Sequence, residues 1–329
     1  MLSTLKAIVE KLIEMPLNYG SARAAANELY NFFKGLASAE NDHDKIYKHI
    51  ETNHGLAIST DAAAFCVIDF LRTRQFILAI KQAIVDKSTV YIDTPIIILY
   101  AGTGPFASLL VPLTTLFTPA QIQFILLEIN TESIEQLKKV IDKLAIQDYI
   151  IDVVHADAST YRFADGIKAD ILVSETMKPA LDKEPQISII SNLIGQCKTD
   201  VTLIPESIKI DLAYIRRHEE DMHRYEPICE LMNFDGNLAK TLHNDKNKSP
   251  IFSEGVVVHI DAIPLHEFSK ISFLTTINLY KNLLLGYKET SLTIPFTIKN
   301  VEALDLPVSL KIRYNIGKHP GFIVEKIMN

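Results

Sequence analysis

Glu175 and Glu184 stand nine positions apart, just beyond the apolar run Ile171-Leu172-Val173. Two carboxylates held close repel each other, and at least one pKa rises unless a cation joins them. A guanidinium suits that place best, because it is planar, permanently charged and donates paired hydrogen bonds. Taken alone, two loop glutamates are ordinarily solvated surface acids, so the surrounding residues decide. Gly102 and Gly104 lie in Ala101-Gly102-Thr103-Gly104-Pro105, directly after Ile96-Ile97-Ile98-Leu99-Tyr100. Glu128 closes Phe124-Ile125-Leu126-Leu127-Glu128, and Asp157 and Ala158 lie in His155-Ala156-Asp157-Ala158. A glycine turn lets backbone approach a ligand, and an acid ending the next strand is placed to accept ribose hydroxyl protons.

These residues need strand ends to carry them. Residues 96–100 form a short, wholly apolar run and, with 124–128, 150–155 and 170–173, read as strands, the first and last of them buried. Helices are expected between them at 106–117 and 131–144, so strands alternate with helices and a parallel, doubly wound α/β sheet follows. In such sheets ligands bind beyond the carboxyl ends of the strands. Gly102 and Gly104, Glu128, Asp157 and Glu175 fall at four such ends. Before the sheet, residues 1 to about 90 read as helices, including 45–52 and 60–86. After residue 207 the pattern turns to period-two alternation at 208–215, 256–260, 271–280, 291–298 and 308–314, which suggests an antiparallel half. Residues 216–250 interrupt it with mixed charge and helix-like stretches.

Bulk properties exclude several classes. A net charge of −7 over 329 residues argues against a nucleic-acid-binding surface. Cys66, Cys197 and Cys229 form no CxxC pair, and the 10 histidines show no HExxH spacing. Neither a disulfide framework nor a metal site is therefore expected, and a reducing cytoplasm fits. No signal peptide is read at the N-terminus, and no apolar run is long enough for a membrane span. The dinucleotide fingerprint fails, since Ala107 stands where the third glycine belongs, and no P-loop GKS or GKT follows. A nucleoside ligand without a required pyrophosphate fits better.

The order of features resembles the class I S-adenosylmethionine-dependent methyltransferases, and within them the protein arginine methyltransferases. The motifs are Ser174-Glu175 followed by Glu184, Asp69-Phe70-Leu71-Arg72-Thr73 upstream, and the step Ile204-Pro205-Glu206 into the antiparallel half. The resemblance spans roughly residues 60–329. It implies a seven-stranded Rossmann-like sheet followed by an antiparallel β-barrel, with N-terminal helices. The implied domains are a helical region at 1–59, a cofactor domain at 60–204 and a substrate domain at 205–329. A dimerisation arm near 216–250 and a homodimer are implied as well. The implied cofactor is S-adenosyl-L-methionine, with S-adenosyl-L-homocysteine as product. Arg72 would meet the cofactor carboxylate, Gly102 and Gly104 its methionine and ribose portions, Glu128 the ribose, and Asp157 with Ala158 the adenine. Glu175 and Glu184 would grip an acceptor guanidinium, and Cys66 falls where the family often has a methionine.

The chain also departs from that pattern. Leu292-Thr293-Ile294-Pro295 stands where the family has a Thr-His-Trp loop, and the chain has no tryptophan. Gly55-Leu56-Ala57-Ile58-Ser59 replaces the usual tyrosines, Tyr100 replaces the first-strand acid, Phe106 a later glycine, and Lys178 the glycine after Ser-Glu-x-Met. The losses fall on the peptide side. The expected acceptor is therefore free L-arginine or a small arginine-like metabolite. The alternatives are a protein arginine or a non-catalytic binding role.

Overall fold

The computed structural model describes residues 1–37, 48–90, 94–163, 168–217, 224–245, 255–261, 267–300 and 306–327. Two helices open the chain, α1 (Leu2–Leu12) and α2 (Tyr19–Ala37), followed by a small hairpin of β1 (Ile50–Thr52) and β2 (Gly55–Ala57). The helix expected at 45–52 is not present where the structure is described. Residues 45–47 lie outside the described part, and residues 50–52 pair in the hairpin instead.

The helix expected over 60–86 is split into α3 (Thr60–Phe65) and α4 (Phe70–Ser88), with a 3-10 turn at Cys66–Ile68 between them. Asp69 causes the break. Its side chain accepts from the Arg72 N–H, so the second helix starts afresh there. Arg72 is thereby fixed in the first turn of α4. The other Asp69 oxygen accepts the Ser291 N–H at 2.8 Å and its hydroxyl at 2.7 Å, which anchors that helix end to the second half of the chain.

The parallel sheet consists of β3 (Ile96–Ala101), β4 (Ile122–Glu128), β5 (Ile150–His155), β6 (Ile171–Ser174) and β7 (Thr202–Ile204), in the order β5-β4-β3-β6-β7. Five described strands form it, where the resemblance implied seven. Every neighbouring pair is parallel. The chain moves outward from β3 in one direction and then returns to its other side at β6, so a topological switch point lies between those strands. Helix α5 (Thr131–Leu144), capped by Asn130, packs on β4 and β5, and α6 (Gln186–Leu193) packs on β6.

The helix expected at 106–117 is a set of turns ending in a 3-10 segment, Val111–Thr115. Pro112 lacks the N–H that a continuing helix would need, and Ala107 sits at φ 41°. Both facts break the helical repeat that the apolar spacing suggests.

The second half contains two antiparallel sheets. One has β8 (Ser207–Arg216), β9 (Tyr225–Asp235), β11 (Phe268–Tyr280), β12 (Leu283–Leu285) and β13 (Phe296–Asn300). The other has β10 (Val256–Ile260), β14 (Val308–Asn315) and β15 (Gly321–Ile327). The described strands do not close into a barrel. Where a strand was expected at 291–298, Ser291–Thr293 is a 3-10 turn capped by Thr290, and the strand begins after Pro295. Within 216–250, β9 pairs along β8 and α7 (Gly236–Asn244) packs on α6, while residues 218–223 and 246–250 lie outside the described part.

Candidate functional site

Strand register aligns the chemistry at one sheet edge. Ala101 pairs with Leu127 on one side and Ser174 on the other, so Gly102, Glu128 and Glu175 each stand one residue beyond those partners. Glu128 pairs with His155, which puts Asp157 two residues past the same edge. Around this edge lies a cleft of about 920 Å³, counting its open mouth. Arg72, Gly102, Gly104, Glu128, Asp157, Ala158, Glu175 and Glu184 all line it, so every residue singled out from the sequence meets in one place. Cys66 lines it as well.

The glycine turn is built around Glu128. Gly102 and Gly104 have φ of 77° and 60°, values that favour glycine. A Cβ on Gly102 would stand 2.3 Å from Thr176 Cγ2, so the turn and the glutamate loop pack without space for a side chain. The Gly104 N–H donates to Glu128 Oε2 at 2.7 Å, and the Ile129 and Asn130 N–H groups donate to Oε1 at 2.9 Å. Burial pushes the Glu128 carboxyl up, and those three donors oppose the rise. Oε2 keeps a second lone pair for a ligand hydroxyl. Asp157 forms an Asx turn, its Oδ1 accepting the Ser159 N–H at 2.9 Å and the Ser159 hydroxyl at 2.6 Å.

The loop bearing the two glutamates is held from several sides. Gln186 Oε1 accepts the Thr176 N–H at 2.9 Å and its hydroxyl at 2.8 Å. The Ala180 N–H donates to Thr275 Oγ1 at 2.8 Å, and the Tyr314 hydroxyl donates to the Leu181 carbonyl at 2.7 Å. Ala180, Leu181 and Lys183 adopt φ of 57°, 54° and 65°, which is unusual for residues with side chains and persists only where the surroundings impose it. Thr275 and Tyr314 have partners distant in sequence, and no local motif marks Gln186 although Thr176 is only 10 residues away.

Each glutamate has a resident cation. Arg72 Nη2 donates to Glu175 Oε2, while Glu175 Oε1 is buried with no hydrogen-bond partner among the described residues. Lys178 Nζ lies 3.6 Å from Glu184 Oε1, with the lysine side chain 42% exposed and that of the glutamate 7% exposed. Burial pushes the Glu184 carboxyl up, while Lys178 and then Arg72 pull it down. Among the described residues, no group of three or more His, Cys, Asp and Glu side chains could hold a metal ion.

No protein family model matches the chain. It is 28% identical over 118 residues to the uncharacterized protein MJ1452 of Methanocaldococcus jannaschii, a match covering 29% of this chain and 45% of that protein. The chain thus spans less than half the length of that relative. Among solved structures, it is similar to a chain of the Trypanosoma brucei PRMT1 enzyme-prozyme heterotetrameric complex with AdoHcy, with a TM-score of 0.53. That likeness covers 80% of this chain and 92% of the other, at 12% identity. The two chains share a fold. The PRMT1-like fold accounts for a parallel sheet with helices joined to antiparallel sheets in one chain.

Proposed function

We propose that this protein is an S-adenosyl-L-methionine-dependent N-methyltransferase acting on a guanidino nitrogen, with free L-arginine or a small arginine-like metabolite as acceptor. The observation that carries the reading is the state of Glu175. One of its oxygens is bound by Arg72 and the other is buried without a partner. A buried acceptor left unpaired costs roughly 1–3 kcal/mol, and more when charged. A guanidinium lodged between Glu175 and Glu184 would supply the missing N–H donor.

The cleft suits the cofactor on the same grounds. Gly102 and Gly104 bring backbone to its wall, Glu128 offers a lone pair for a ribose hydroxyl, and Asp157 with Ala158 would border an adenine. Arg72 is the one of these residues able to pair a carboxylate. AdoHcy in the Trypanosoma brucei complex supports the same cofactor class here, with S-adenosyl-L-homocysteine as product. When bound, the cofactor supplies a methyl group on a sulfonium leaving group. The protein's own contribution is then positioning and charge placement. Glu175 and Glu184 hold the acceptor and direct one nitrogen into the cleft. Glu184, whose carboxyl is pushed up by burial, is suited to accept the proton released as that nitrogen is methylated.

The proposal divides the chain into 1–59, 60–204 and 205–329, as helical, cofactor and substrate regions. A cytoplasmic homodimer contacting through 216–250 belongs to the same reading, and light scattering tests it. Among the described residues, no helix is long and apolar enough to cross a membrane. The deciding experiment incubates labelled cofactor with free L-arginine, an arginine-containing peptide and no acceptor. Label on a guanidino nitrogen of free L-arginine supports the proposal, and label on the peptide alone would overturn its acceptor. Absence of transfer with cofactor bound would instead favour a non-catalytic binding protein.

A further inference from the structure

The small hairpin β1–β2 is tied down at two separate walls of the cleft. At its turn, His54 Nδ1 lies 3.0 Å from Ser159 Oγ. The single proton of that hydroxyl goes to Asp157 Oδ1 at 2.6 Å, so His54 Nδ1 is the donor to Ser159. On the second strand, the Leu56 N–H donates to the Lys183 carbonyl at 2.8 Å. The Lys183 N–H donates in turn to the Pro320 carbonyl at 2.9 Å, in the turn before β15. The hairpin therefore bridges from the Asp157 loop to the loop that carries Glu184.

Three chain segments pack closely around Gly55 at this second attachment, and on their outer side a second cleft of about 920 Å³, counting its open mouth, is lined by Gly55, Leu56, Lys183 and Pro320. Gly55 has φ of 134°, and a Cβ there would stand 2.7 Å from the Lys183 oxygen, 3.0 Å from Pro320 Cγ and 3.2 Å from the Pro185 nitrogen. Glu184 is only 6% exposed beside this seam. An extended peptide that docks by strand addition does so through main-chain hydrogen bonds to exposed backbone. Here the N–H groups of Leu181, Asp182, Lys183 and Glu184 all donate within the chain, to Lys178, Pro179, Pro320 and Asp182. The outer face of the seam carries ion pairs, Lys318 with Glu51 at 3.9 Å and Lys183 with Asp182 at 3.8 Å. An arginine-rich segment would find no run of uncompensated acids there.

Resting on the guanidino-methyltransferase reading above, we infer that the seam of Gly55–Leu56, Lys183 and Pro320 determines acceptor class. It admits a free, small guanidino compound when the hairpin lifts, and excludes an arginine carried on an extended polypeptide. Leu56 is a specificity-determining residue through its backbone. Its N–H points out of the hairpin ladder to Lys183, so replacing it with proline removes the seam bond and no bond between β1 and β2.

The test uses the full chain with labelled S-adenosyl-L-methionine, and compares free L-arginine with a capped peptide containing one arginine. The wild type is expected to favour free arginine by at least about 100-fold in kcat/KM. Leu56→Pro, and independently Gly55→Val, should raise the peptide-to-arginine ratio about tenfold by parting the seam. A wild type that methylates the peptide as well as free arginine would overturn the inference and leave the guanidino reading standing. Labelling of neither acceptor by cofactor-saturated protein would overturn that reading, and this inference with it. Amide hydrogen exchange gives a separate readout that needs no acceptor. The Leu56 and Lys183 amides should be protected in the free protein, and exchange at the rate of an unstructured peptide would overturn the seam itself.

Discussion

Arg72 and Glu175, separated by 103 positions in the sequence, form a buried ion pair across the candidate cleft. Their side chains are 9% and 7% exposed. The pair joins a residue assigned to the cofactor with one assigned to the acceptor, so a change in either is felt on both sides. Removing one partner of a buried pair is typically more damaging than removing both, because the survivor is left as an uncompensated buried charge.

Arg72→Ala should therefore lose about 3–5 kcal/mol of stability and bind S-adenosyl-L-homocysteine more weakly. The double variant Arg72→Ala/Glu175→Ala should recover much of the stability and none of the binding. Thermal denaturation and calorimetric titration separate the two effects. Unchanged cofactor affinity in Arg72→Ala would make the arginine a structural residue.

Glu184→Gln keeps the shape of the loop and removes its charge. Cofactor affinity should hold while methyl transfer falls about 10²–10³-fold, the usual scale for losing one preorganised electrostatic group. Its effect on stability has a definite sign. A carboxyl pushed up by burial binds more protons in the folded than in the unfolded state, so stability falls as pH rises between the two pKa values. The glutamine variant should thus be more thermostable than the parent at neutral pH, with the gap closing on acidification. A lower melting temperature at neutral pH would contradict that burial cost.

Lys178 supplies a pH test. The charged groups acting on Glu184 are Lys178, Arg72 and Asp182. Guanidinium binding needs the carboxylate, so acceptor affinity should be full above the raised pKa and lost as pH falls through it. Lys178→Met removes an influence that lowers this pKa, so the acid limb should move to higher pH. It also removes a competing ammonium, and near neutral pH the acceptor should bind up to about fivefold tighter, the scale of a partly exposed pair. Titrations across a pH series read both effects, and a limb that stays in place would remove Lys178 from the site.

Gly102 and Thr176 form a testable contact. Gly102→Ala should destabilise the turn and weaken cofactor binding, because φ is 77° and the added methyl meets Thr176 Cγ2. Adding Thr176→Ala relieves the collision and leaves the dihedral cost of about 1–2 kcal/mol. Partial recovery in the double variant is the expected result, and simple additivity would show that the contact does not matter.

The sheet and the residues gathered at its edge were largely legible because the signals are local. The strands expected at 96–100, 124–128, 150–155 and 170–173 match β3 to β6 closely, and the residue after each is one of the cleft residues or lies near one. Burial leaves β3, β4 and β6 almost continuously apolar, which makes them easy to recognise, whereas the edge strand β5 has no buried residue and carries Asp152 and His155. Other features depend on contacts that no local pattern encodes. The helix expected over 106–117 ignored the hydrogen bond that Pro112 cannot make. The hairpin at 50–57 was obscured because its pairing is completed by the Lys183 carbonyl, more than a hundred residues away. Lys178 stands where the resembled family has a glycine, but its position against Glu184 depends on the left-handed turns at Ala180, Leu181 and Lys183.

Locating the transferred methyl separates guanidino methylation of arginine from every other outcome. Labelled S-adenosyl-L-methionine and free L-arginine are incubated with the wild type and Glu184→Gln, and the product is read by mass spectrometry. The wild type should place label on a guanidino nitrogen of arginine, and Glu184→Gln should place almost none there at saturating cofactor. Label on another atom, or equal labelling by both proteins, would contradict the proposal.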